Sequence, residues 1–97
     1  MVFVHASFNP KKHPSEEKEE NLIWGRNIID YAVDGNKIGS WELVFVGHTP
    51  VQKVQKDADK PLIIQNLVMM DCGAGYGKNL AIMDIDTMKY WVSGAKD

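Results

Sequence analysis

The chain has one cysteine, Cys72, so no intrachain disulfide can staple it and the fold must rest on packing. A lone thiol also suits a reducing compartment, and the expected location is cytoplasmic. No apolar run approaches the roughly 20 residues that span a bilayer. The N-terminus lacks the basic stretch, apolar stretch and small-residue cleavage site of a signal peptide, so neither a membrane nor a secretory role is expected. Neither sign of charge dominates: 11 basic and 13 acidic residues leave a formal net charge of −2, which gives no electrostatic reason to expect nucleic acid as a partner. Internal repeats and low-complexity tracts are also missing. What is present is ordinary globular composition, 44% hydrophobic and 25% charged, in 97 residues that fit a single domain over 1–97 with one core.

Against this plain background, two apolar runs each stop at a histidine. Val2-Phe3-Val4 leads into His5-Ala6, and Leu43-Val44-Phe45-Val46 leads into Gly47-His48-Thr49-Pro50. Short β-branched and aromatic runs bounded by turn signals read as strands buried on both faces. Open α/β sheets bind ligands beyond the carboxyl ends of their strands. Two imidazoles delivered to such an edge are candidate metal ligands, since neutral imidazole is a good donor to transition metals. His13 differs, lying between Lys12 and Pro14 in a polar stretch, and reads as a surface residue.

Asn9 to Asn21, with Pro10, Pro14 and a charge cluster from Glu16 to Glu20, reads as a solvated loop whose acids suit the first turn of a helix. Leu22, Ile23, Ile28, Ile29 and Ala32 follow a helical repeat, which predicts one main helix ending near Asp34-Gly35. A second strand runs to Val46, and Gln52 to Lys60 is polar loop. Further strands are expected at Leu62–Ile64, Leu67–Met70, Leu80–Asp84 and Tyr90–Val92, the last two forming a hairpin around Asp84 and Asp86. The predicted class is α+β: a β-rich mixed sheet with one main helix.

The strings Phe3-Val4-His5-Ala6 with Asn9-Pro10, Leu22-Ile23-Trp24-Gly25-Arg26, Val46-Gly47-His48-Thr49-Pro50-Val51, Met70-Asp71-Cys72-Gly73-Ala74 and Leu80-Ala81-Ile82-Met83-Asp84-Ile85-Asp86-Thr87 occur in that order. Together they resemble the C-terminal half of calcineurin-like metallophosphoesterases, in particular bacterial and phage Ser/Thr protein phosphatases and symmetrical diadenosine tetraphosphatases. The resemblance implies the C-terminal half of a four-layer α/β/β/α fold and a hydrolase site holding divalent metal, manganese, iron or zinc. It implies that His5 and His48 are metal ligands, that Arg26 grips the substrate phosphate and that Tyr76 lines the cleft. The implied substrate is a phosphoprotein or a nucleotide.

The same family carries its other ligands and its general acid in motifs of the type Asp-x-His, Gly-Asp-x-x-Asp-Arg and Gly-Asn-His-Asp/Glu, none of which this chain contains. The expectation is therefore a partial metallophosphoesterase domain without its N-terminal half. It would have no catalytic residue of its own and no complete dimetal site, and would be inactive alone, because two-metal chemistry needs bridging ligands. The alternative is a non-catalytic interaction or assembly module on the same scaffold. The expected partner is a second copy or the absent half, because uncovered strands template pairing.

Other features take plainer readings. Gly73 to Lys78 is glycine-rich, but a phosphate loop needs a following helix and a strand is expected there instead. Cys72, next to Asp71, reads as a buried thiol without a basic neighbour to activate it. Trp24, Trp41 and Trp91 read as packing residues, and Asp84 and Asp86 as turn residues.

Overall fold

A computed structural model describes residues 1–93. Six three-residue strands and two short helices make up its regular structure: β1 (Val2–Val4), α1 (Glu19–Trp24), α2 (Asn27–Val33), β2 (Val44–Val46), β3 (Leu62–Ile64), β4 (Leu67–Met69), β5 (Ala81–Met83) and β6 (Tyr90–Val92). Single 3₁₀ turns occur at Pro14–Glu16, Val51–Lys53 and Ala74–Tyr76. The α+β class is as expected. Strands β1, β2 and β4 run parallel, β3 closes the sheet antiparallel to β4, and the order is β1-β2-β4-β3. Strands β5 and β6 pair as a separate antiparallel hairpin.

The expected single helix is two. The apolar stripe from Leu22 to Ala32 is interrupted at Gly25-Arg26, where Gly25 takes an extended conformation and caps α1 through its N–H to the Asn21 carbonyl. A Cβ on Gly25 would lie 2.7 Å from that carbonyl oxygen and closer still to the Asn21 side chain, so only glycine lets the chain turn this tightly. The break lets α2 start afresh on a different partner: the buried Ser7 hydroxyl accepts from the Ile28 N–H at 3.0 Å and donates to the Asn27 side chain. An orphan N–H of the first turn is thereby satisfied from outside the helix. Ile28, Ile29 and Ala32 then bury fully or nearly so. The helix ends as expected, with Asp34 at the cap and Gly35 at φ +97°.

Period-two alternation sorts the sheet into two faces. Val44, Val46, Leu67 and Met69, flanked by Val2, Val4, Leu62 and Ile64, pack with Phe8, Ile28, Ile29, Ala32, Ile38 and Val51 as the core. The opposite face carries the cross-strand row Phe3–Phe45–Val68–Ile63. Phe3 stacks on Phe45 at 4.7 Å, yet Phe3 and Ile63 are each 57% exposed. Strand β1 is thus half-buried on its core face and exposed on the other, contrary to the reading of its sequence, because it is an edge strand with a neighbour on one side only. Trp24 and Trp91 are likewise exposed rather than packed, whereas Trp41 rests against the core.

Two turns hold the edges in register. Between β3 and β4, Gln65 takes φ +56°, and the buried Asn66 reaches back: its side-chain oxygen accepts from the Ile38 N–H at 2.8 Å while its amide donates to the carbonyls of Ile38 and Trp41. The β5–β6 connection closes with the Asp84 N–H on the Lys89 carbonyl and the Met88 N–H on the Asp84 carbonyl. Asp84 and Asp86 are turn residues there, as expected, the Asp84 carboxylate accepting from the Asp86 N–H.

Candidate metal centre

The parallel pairing of β1 with β2 sets Val4 opposite Val46. The ladder continues one step further, with the Gly47 N–H donating to the His5 carbonyl at 2.8 Å. His5 therefore leaves the end of one strand and His48 leaves the end of its neighbour, on the same carboxyl edge of the sheet. Their ring centroids stand 5.3 Å apart with planes inclined at 46°. Two imidazoles on one ion, with metal–nitrogen bonds near 2.1 Å and a tetrahedral angle between them, have centroids separated by about 5 Å. The observed spacing is of that size. His5 is exposed and His48 half-buried, so the pair is open to solvent.

His48 is held in a strained conformation. Its φ is +60°, and the Thr49 N–H bonds to the Gly47 carbonyl at 2.6 Å, the i to i+2 pattern of a γ-turn centred on His48. A residue with a Cβ at positive φ costs roughly 1–2 kcal/mol relative to the right-handed region. The following residues anchor the turn: Thr49 and Pro50 are buried, and the Val51 N–H donates to the Asp71 carbonyl at 2.8 Å. The Thr49 hydroxyl is buried without a hydrogen-bond partner. Strain of this kind persists only where the surroundings over-determine it, and it concentrates at functional positions.

Both histidines line an open groove of about 360 Å³, with Met70, Asp71, Gly75 and Asn79 among its other lining residues. One Asp71 carboxylate oxygen is engaged by the Gly73 N–H at 2.8 Å. Cys72 borders the same groove from a buried position, and burial, followed by the negative charges of Asp71 and Asp59, pushes its thiol pKa above the ordinary range. That is the opposite of what a nucleophilic thiolate needs. The glycine-rich segment is a 3₁₀ turn between two left-handed glycines, Gly73 and Gly77, and it feeds β5 rather than a helix. No helix terminus is available there for a phosphate. Among the described residues no group of three or more His, Cys, Asp or Glu side chains is placed to hold a metal ion.

Arg26 is exposed at the cap of α2 and is not among the residues lining the groove. Tyr76, 71% exposed, lines a neighbouring recess and not the histidine groove. His13 is at the surface, as expected, accepting from the Ser15 N–H at the start of the 3₁₀ turn. A contact with no sequence signal is that of Trp24, whose indole meets the His48 ring edge-on at 5.4 Å. The groove residues Met70 and Asp71 belong to one of the motifs of the resemblance but were given no role in a site; their place in the groove, at the end of β4 next to β2, is a property of the sheet order. The chain matches no protein-family model and no curated protein sequence.

Proposed function

We propose that this chain is part of a metal-dependent phosphoesterase of the Ser/Thr protein phosphatase kind, in which His5 and His48 bind one divalent ion and the remaining donors come from another segment or another chain. The observation that carries the reading is the 5.3 Å spacing of the two imidazoles at the carboxyl ends of adjacent parallel strands, beside a groove large enough for a phosphate ester. The ordered motifs that resemble the C-terminal half of calcineurin-like metallophosphoesterases agree with it. Arg26 is the proposed phosphate ligand. It follows Trp24 by two residues, which limits the separation of their Cα atoms to about 7 Å, and Trp24 touches His48. A guanidinium extended from there suits the bidentate capture of a phosphate.

Two imidazoles supply neither a bridging carboxylate nor a ligand set for two ions, so hydrolysis requires the complementary half. The test is hydrolysis of p-nitrophenyl phosphate with Mn²⁺, by the chain alone and mixed with a polypeptide carrying the three absent motifs. Turnover only in the mixture, abolished by His48→Ala, is the expected result. Robust His48-dependent turnover by the chain alone would contradict the division of the site, and no turnover in either arm would remove the phosphoesterase reading.

A second reading, an interaction or assembly module, is favoured by the exposed apolar side chains Phe3 and Ile63 on the sheet and Leu80, Ile82 and Trp91 on the hairpin. Large uncovered apolar surface marks an interface. In sedimentation equilibrium at micromolar concentration, a reversible dimer with no Zn²⁺ or Mn²⁺ binding would select this reading over the first.

A further inference from the structure

His5 and His48 make a site with two donors. Their ring centroids stand 5.3 Å apart, a spacing that fits two ligands of one ion, and among the described residues no group of three His, Cys, Asp or Glu forms around them. Among the same residues neither ring has a hydrogen-bond partner, whereas the His13 ring is engaged by Ser15. We infer that the remaining donors are the same two histidines of a second copy of this chain, so that one divalent ion on a two-fold axis is held by four imidazoles and joins two chains. The inference rests on the metal site of the reading above and not on its phosphate chemistry; it names what completes that site when no complementary half is bound.

Coordination and symmetry argue for it first. A structural zinc ion takes four ligands, and imidazole nitrogen is one of its usual donors, so this chain supplies half of a set. In a two-fold dimer each copy presents the same patch to the other, which turns two imidazoles into four with no further residue. The donors are accessible, His5 exposed and His48 half-buried. They are also fixed in advance. The Gly47 N–H holds the His5 carbonyl at 2.8 Å, and the γ-turn holds the His48 backbone, so little ordering remains to be done on binding. The rim of the site is an independent observation. Trp24, edge-on to His48, is 67% exposed, and Leu80, which lines the groove with both histidines, is 58% exposed. They come from separate elements, α1 and the residue before β5. Water or a small ligand completing the ion would leave both uncovered. A second copy seated on the ion covers both, and a tryptophan beside a desolvated centre is the type of residue that dominates interfaces. Charge agrees: each chain carries a formal −2, so a divalent ion offsets the charge of one of the two chains it joins.

The test is sedimentation equilibrium of the full chain at micromolar concentration, in Zn²⁺ and in EDTA, with bound zinc measured per chain. A dimer holding one Zn²⁺ per two chains is expected, and a monomer in EDTA. His5→Ala, at an exposed position outside the core, should abolish the zinc-dependent dimer, and His48→Ala should do the same. His13→Ala should leave it intact. Trp24→Ala and Leu80→Ser should each weaken the dimer by about tenfold, the loss of one interface anchor. One Zn²⁺ per chain on a monomer would overturn the inference and leave the phosphoesterase reading standing, whereas no zinc binding at all would remove both. A dimer of equal strength in EDTA, or a His13→Ala loss as large as that of His5→Ala, would also overturn the inference.

Discussion

The indole of Trp24 stands edge-on to the imidazole of His48, with ring centroids 5.4 Å apart and planes at 85°. Trp24 is two-thirds exposed, and besides this contact it borders a hollow lined by Lys18, Glu20 and Asn21. The geometry makes it a reporter. Coordination of His48 by a transition metal, or its protonation, should change Trp24 emission. Titration with Zn²⁺ or Ni²⁺ should give a saturable fluorescence change that is absent in both Trp24→Phe and His48→Ala. Retention of the change in Trp24→Phe would assign it to Trp41 or Trp91 and would remove the evidence for metal at His48.

The γ-turn at His48 separates a functional histidine from a structural one. Glycine adopts φ +60° without the Cβ penalty, and the gain is offset by its greater freedom in the unfolded chain. His48→Gly should therefore change stability by no more than about 1 kcal/mol in urea denaturation, while metal binding is lost. A larger destabilisation with metal binding retained would identify His48 as a packing residue.

Asn66 links the β3–β4 turn to the segment before β2. Truncation to alanine leaves the Ile38 N–H and the Ile38 and Trp41 carbonyls without their partner, in a region where water has little access. Each buried group left unsatisfied costs about 1–3 kcal/mol, so Asn66→Ala should lower unfolding free energy by roughly 2–4 kcal/mol after partial relaxation. Asn66→Asp should also be destabilising, because the carboxylate cannot donate to the two carbonyls. A loss below about 0.5 kcal/mol, the range of an ordinary surface change, would refute this role.

Glu17 contributes to the acid side of the stability profile. Its carboxylate accepts from the Lys18 N–H, the Asn9 N–H and the Asn21 side chain, and these bonds, in that order, hold its pKa below the ordinary carboxylate value. Because the folded pKa is the lower one, the contribution to stability is complete above the unfolded pKa near 4.5 and fades as pH falls through the folded value. Thermal melts should show Glu17→Gln losing stability relative to the native chain at pH 7 but not at pH 2. An equal deficit at both pH values would show that the carboxylate charge is not the cause.

The strands were legible because their apolar runs are short and punctuated. Val2–Val4, Leu62–Ile64 and Tyr90–Val92 fall where the pattern places them, and Leu67 and Val44 begin theirs at a turn. The interruption at Gly25 was not legible, because a helical stripe records which residues face the core but not whether one axis joins them. The clash of a Gly25 Cβ with Asn21 and the hydrogen bond from Ile28 to Ser7 belong to the fold, and the second joins positions 21 residues apart. Nor does the Phe3–Phe45–Val68–Ile63 row differ in composition from a buried one. Exposure of its ends depends on what lies across that face.

Sequence alone determined that two histidines end two apolar strands, since local propensity and punctuation act over a few residues and are written in order. Only the tertiary structure decided that those strands are parallel neighbours, which brings the imidazoles to 5.3 Å, and that the Trp24 indole lies against His48. It likewise decided that Tyr76 faces Lys53 and Lys78 and not the histidines. Strand order and loop closure are set by the packing of segments far apart in the chain, and that packing leaves no short-range mark on the residues it brings together.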